Sequence, residues 1–112
     1  MKFVLALIAA LLLAGSVENA QAHPRPFPKW WLKGALCIHG HEGSWRDTGA
    51  PHWGGMQMDY SFMETYGGKL LRRKGTANNW TPHEQLHVAY RAYRSGRDWY
   101  PWPNTARKCG LI

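Results

Sequence analysis

Cys37 and Cys109 are the only cysteines in a chain of 112 residues, and together they enclose nearly all of its candidate chemistry. A chain this short buries only about 60–65% of the surface its unfolded form exposes, and is often marginal without a staple. A bond between the two would close a loop covering most of the domain and remove roughly 4 kcal/mol of unfolded-state freedom on the chain-entropy account. Such bonds persist only in oxidising compartments, so the N-terminus matters. Lys2, the unbroken apolar run Phe3 to Ala14 and the ending Ala20-Gln21-Ala22 have the charged start, apolar middle and small-x-small close of an export leader. The run falls short of the roughly 20 apolar residues that span a bilayer. Residues 1–22 are therefore expected to be a signal peptide, with no stable membrane insertion. The mature chain is expected to be secreted and monomeric, with Cys37 bonded to Cys109.

Three prolines between His23 and Pro28 mark residues 23–30 as an extended linker, which leaves a single domain over 31–112. Fourteen Lys and Arg face seven Asp and Glu, a net charge of +7, and removing Lys2 with Glu18 does not change it. That balance draws a protein to anionic polymers. For an exported chain it points to anionic wall polymers and away from nucleic acid. Seven tryptophans are more than so small a core should hold, since each ring buries about 150–250 Å². Some must be core and others can stack on sugar rings, a division the sequence leaves open.

Trp31 to about His41 has a helical pattern with Trp31, Ala35, Leu36 and Ile38 near one face. Gly43 through Gly55 is rich in turn residues and fits a loop or short hairpin. A short second helix is expected between the capping-box spacing Ser61–Glu64 and the stop signal Gly67-Gly68. Thr81-Pro82-His83-Glu84 sets N-cap, N1 proline and N3 glutamate in order for a third. Leu86, Val88, Ala89, Ala92 and Tyr93 give that helix its apolar face, and Ser95-Gly96 ends it. The expected fold is mainly helical, α+β or all-α, with three main helices, the loop or hairpin region and one disulfide.

His83-Glu84-Gln85-Leu86-His87 matches H-E-x-x-H, which sets two histidines one turn apart for zinc with the glutamate as base. Glu84 already has a role as the N3 partner of Thr81, and the motif sits on a first turn directly after a proline. No metal site is expected there. Of the carboxylates beyond the leader, Glu64 and Glu84 have capping spacing and Asp98 lies in the tail. Glu42, Asp47 and Asp59 remain, and Glu42 stands out at the end of the first helix, three residues before Trp45. A carboxyl beside an indole in a partly dry cleft resists ionisation and can protonate a glycosidic oxygen near neutrality.

The segment Cys37-Ile38-His39-Gly40-His41-Glu42-Gly43-Ser44-Trp45, followed by Asp47-Thr48-Gly49 and Trp53-Gly54-Gly55-Met56-Gln57-Met58, resembles the transglycosylase-like domain of the actinobacterial resuscitation-promoting factors. Trp80 to Tyr93 and the tail from Trp102-Pro103 to Cys109 extend the likeness over about residues 31 to 112. The resemblance implies a lysozyme-like fold, peptidoglycan glycan strands as partner, cleavage of the β-1,4 bond between N-acetylmuramic acid and N-acetylglucosamine, and one catalytic glutamate, matched by Glu42. It implies a groove wall of Trp45, Thr48, Trp53 and Gln57, with Gly54 and Gly55 letting the backbone approach the sugar, and no cofactor. Three positions depart from the pattern. No cysteine directly precedes Glu42, Cys109 is displaced from just after Trp102-Pro103, and Phe62 replaces a hydroxyl residue. Chicken-type lysozymes carry an aspartate where His52 stands here, which favours a lytic transglycosylase over a hydrolase and leaves both products open. A non-catalytic wall-binding or signalling module is the alternative.

Overall fold

The computed structural model describes residues 27–112; the expected leader and most of the linker, residues 1–26, lie outside the described residues. The first helix, α1 (Lys29–Glu42), starts inside the stretch expected as linker. Pro28 caps it at φ −55° and ψ 135°, and its carbonyl accepts from the amide of Leu32 at 3.0 Å. The helix buries Trp31, Gly34, Ala35 and Ile38, the i, i+3, i+4, i+7 face of a 3.6-residue period. Leu36 lies about 100° round from Ala35 and is an exposed side chain rather than part of that face.

Asp59 rather than Ser61 caps the second helix, α2 (Tyr60–Lys74), by accepting from the amide of Phe62 at 2.8 Å. Glu64 is exposed on its flank. The helix does not stop at Gly67-Gly68. Gly67 leaves helical angles (φ −136°, ψ 31°), but the chain recovers and ends at Gly75, where φ is 79°. A Cβ on Gly67 would stand 2.9 Å from both Trp80 Cη2 and Val88 Cγ2. The glycine sits there because α2 presses against the neighbouring helix, a packing demand that reads in sequence as a stop.

That neighbour is α3 (Pro82–Ala92), and its expected capping box is complete. Glu84 N donates to Thr81 Oγ1 at 3.1 Å, and Thr81 N donates to Glu84 Oε1 at 2.9 Å. A wide turn over Tyr93–Arg97 follows, with Gly96 at φ 105°. The aromatic- and proline-rich tail holds a fourth helix, α4 (Pro103–Lys108), whose first-turn proline loses no needed hydrogen bond. Between α1 and α2 the expected hairpin shrinks to one antiparallel pair, Trp53 with Met58, each amide donating to the other's carbonyl at 2.9 Å. No longer strand exists among the described residues.

The tryptophans divide by depth. Trp31, Trp80, Trp99 and Trp102 are core, Trp45 and Trp53 are half-buried against it, and Trp30 is exposed. Trp31 and Trp99 stack, with centroids 5.8 Å apart and planes 11° from parallel. The chain is thus mainly helical with one disulfide, Cys37–Cys109, whose Cα atoms lie 6.1 Å apart.

Candidate active site

The disulfide ties α1 to the residue after α4. About one turn further along α1 comes Glu42, and one turn back along α4 comes Thr105. Because the two helices run antiparallel, the pairing of 37 with 109 carries 42 to 105. Thr105 Oγ1, buried, donates to Glu42 Oε1 at 2.9 Å across 63 residues of sequence. Glu42 itself is half-buried, and its Oε2 has no partner among the described residues.

Glu42 lines a hollow of about 160 Å³ with His52, Gln57, Pro101, Trp102, Pro103 and Asn104. His52, Gln57, Pro101 and Trp102 also line a second hollow of about 230 Å³, which continues to Asp59, Ser61, Thr65, Tyr66 and Arg97. The two form one groove with Trp102 between its halves. The indole is held by its Nε1, which donates to the carbonyl of Met56 at 2.6 Å. At the far end, Arg97 lies 5.7 Å over the ring of Phe62 and 5.9 Å over that of Tyr66. The phenol of Tyr66 is lowered below its ordinary value by its hydrogen bond to Ser95, and next by Arg97. Phe62, the departure from the family pattern, therefore carries a guanidinium on its face.

Gln57 adopts a left-handed backbone, φ 49°. Its Nε2 donates to Asp47 Oδ2 at 2.8 Å and to the carbonyl of Gly54 at 2.9 Å. Both partners are acceptors, so the amide orientation is determined, and Oε1 has no partner among the described residues. Asp47 is committed to the loop, since its Oδ1 also accepts from Gly49 N at 2.9 Å. Asp59 is committed to capping α2 through one oxygen.

Of the residues expected to form the groove, only Glu42 and Gln57 line it. Trp45 stacks on His39, centroids 3.7 Å apart, and lines a separate recess with Arg46, Asn79 and Trp80. The indole at the Glu42 groove is Trp102, not Trp45. Thr48 is exposed in the turn beside Asp47, and Trp53 packs on the core. Gly54 and Gly55 are buried and face inward. A Cβ on Gly55 would fall 2.5 Å from His39 Nδ1 and from Trp45 Cε3, and one on Gly54 would collide with Gln85. They are glycines because interior side chains pass there. Thr105, Asn104 and Arg97 carry no sequence signal, and the family resemblance includes Trp102 without implying a role for it.

Gln85 accounts for the inward turn of that loop. It is fully buried, and its Nε2 donates to the carbonyls of Trp45 at 2.8 Å and Trp80 at 3.1 Å. Its Oε1 accepts from Gly55 N at 2.8 Å. The side chain inside H-E-x-x-H is thus a structural hub. Around it, Glu84 accepts from Lys74 Nζ at 2.8 and 3.0 Å as well as from Thr81. Lys74 foremost, then the Thr81 amide, holds its carboxyl below the ordinary range. His83 and His87 both pack on Phe27, at 5.3 and 4.8 Å. Burial lowers the imidazole of His87 below its ordinary 6.5, with His83 and Arg91 adding to the effect. Neither histidine belongs to a cluster of three ligating side chains among the described residues.

No family model matches the chain, and a search of curated proteins finds no match either.

Proposed function

We propose that this chain is an exported peptidoglycan-cleaving enzyme with a lysozyme-like site, in which Glu42 is the general acid on the β-1,4 bond between N-acetylmuramic acid and N-acetylglucosamine. One observation carries it: Glu42 has one oxygen tied by Thr105 and the other unpartnered, at the wall of a groove. A proton on Oε2 can pass to the glycosidic oxygen while Oε1 stays bonded, so the acid is oriented before substrate arrives. Trp102, almost wholly buried, gives the groove a rigid apolar floor, and Gln57 Oε1 can accept from an N-acetyl N–H.

The second step favours cyclisation over hydrolysis. Retaining glycosidases set a second carboxyl about 5–5.5 Å from the first, and no carboxylate other than Glu42 lines its hollow. Asp47 is held by Gln57 and Gly49, and Asp59 caps α2. As the bond to the leaving sugar breaks, the 6-hydroxyl of the muramic acid attacks the anomeric carbon. Glu42, now a carboxylate, takes that hydroxyl's proton. The tethered hydroxyl gains from its high effective molarity, and the product is a 1,6-anhydro sugar.

The test is mass spectrometry of purified wall digested by wild type and by Glu42→Gln. Wild type should release fragments one water lighter than hydrolysis products, and the variant almost none. Hydrolysis products would replace cyclisation and keep Glu42. A Glu42→Gln enzyme as active as wild type would remove the assignment, and wall binding without turnover by either would make the chain a binding module.

A further inference from the structure

We propose that reducing the Cys37–Cys109 bond converts this corner of the fold into a three-ligand site for a soft divalent cation, with His41 as third ligand and zinc as the expected metal. His41 lies four residues after Cys37 on α1, so the two share a helix face, and the disulfide shows that Cys109 reaches the same spot. The ligating atoms of all three lie within 4.8 Å of one another. Tetrahedral zinc bonds sulfur at about 2.3 Å and imidazole nitrogen at about 2.0–2.1 Å, which sets two coordinated sulfurs roughly 3.7 Å apart. With the Cα atoms of the two cysteines 6.1 Å apart, rotation of their side chains can open the freed sulfurs to that distance. Three protein ligands leave the fourth position to water.

The chemistry balances with a thiol as the reductant. Two molecules of it are oxidised to their own disulfide while Cys37 and Cys109 each gain a hydrogen. Metal binding then releases both thiol protons to solvent, and the neutral imidazole donates a lone pair. Cys37 and His41 are exposed and Cys109 partly so, which gives the reductant and the ion a path. The H-E-x-x-H histidines are the competing pair, but they have no third ligand among the described residues and Glu84 is held by Lys74 and Thr81. A thiolate pair also outranks lone imidazoles for a soft cation. A bound ion would replace the covalent tie between α1 and α4, and would so keep Thr105 against Glu42. That last consequence rests on the proposed function; the binding itself does not.

The experiment uses the leaderless chain, oxidised or reduced and freed of reductant under argon, titrated with Co²⁺ as the spectroscopic probe. Reduced protein should bind one ion per chain, with sulfur-to-cobalt charge transfer and the intense visible bands of a tetrahedral site, and excess zinc should bleach them. Oxidised protein should show neither. His41→Ala, an exposed change that leaves the disulfide intact, should weaken the reduced site at least about tenfold, since even losing an outer-shell partner costs 10–100-fold. A His83→Ala, His87→Ala double variant should bind as wild type. Circular dichroism guards against binding by an unfolded chain: the zinc-loaded reduced protein should have the helicity of the oxidised one. Equal binding by both redox forms, unchanged affinity in His41→Ala, or helicity that zinc does not maintain would each overturn the proposal, whatever Glu42 does to wall.

Discussion

Glu42 and Gln85 are both polar side chains drawn in from the surface, and they end in opposite conditions. Every hydrogen-bonding atom type of Gln85 is used: its amide nitrogen bonds two carbonyls, its oxygen one amide, and no surface is left. Glu42 is held by one oxygen and open by the other, in contact with a groove. A buried amide whose nitrogen and oxygen are both bonded rigidifies what surrounds it. A carboxyl with one valence met is positioned but still able to exchange a proton. The fold thus keeps what holds the loop apart from the carboxyl proposed to react, and Gly54, Gly55 and Trp45 fall on the holding side.

Four changes test that separation, in order of expected size. Glu42→Gln should lower wall cleavage by about 10²–10⁴, the usual contribution of a general acid, with an unchanged thermal midpoint; a large loss of stability instead would place Glu42 with Gln85. Gln85→Leu should do the reverse. It orphans two carbonyls and an amide at about 1–3 kcal/mol each, so chemical denaturation should show a loss of about 3 kcal/mol or more. A loss below about 1 kcal/mol would mean the loop does not depend on the hub.

Thr105→Val sharpens the contrast by removing the hydroxyl and keeping the shape. We expect kcat to fall about tenfold, or about 1.4 kcal/mol, with KM little changed, and Thr105→Ser to restore it. Failure of the serine to rescue would make the contact one of packing alone.

The smallest effect comes from pH. Glu84 titrates below its ordinary 4.5 in the folded chain because of Lys74 and Thr81. Its contribution is therefore present above 4.5 and is lost as pH falls through the lower folded value. His87, lowered by burial from 6.5, acts in the same direction, since charging it costs more in the folded chain: stability is full above 6.5 and drops as pH falls from there towards the folded value. Denaturant midpoints should decline in two steps on acidification. Glu84→Gln should remove only the lower step, a change of about 0.2–1 kcal/mol for a partly exposed pair. A midpoint that stays flat from pH 7 through 6.5 and on down well below 4.5 would show that neither group is held as described.

What the amino-acid sequence determined by itself was local or exhaustive. The capping box of α3 was legible because Thr81 and Glu84 are three residues apart and bond only each other's backbone and Lys74. The disulfide was legible because two cysteines allow one pairing, and Glu42 could be singled out as a candidate because few carboxylates compete with it. Gly67 shows where such reading fails: a glycine required by Trp80 and Val88 looks the same as one that ends a helix. The tertiary structure alone decided which tryptophans are core, that Trp102 rather than Trp45 meets the groove, and that Thr105 reaches Glu42 and Gln85 reaches Gly55. These contacts join residues 30 to 63 positions apart. No propensity or spacing encodes them, because they depend on how whole helix faces pack, and that is settled only when all of them bury their apolar sides together.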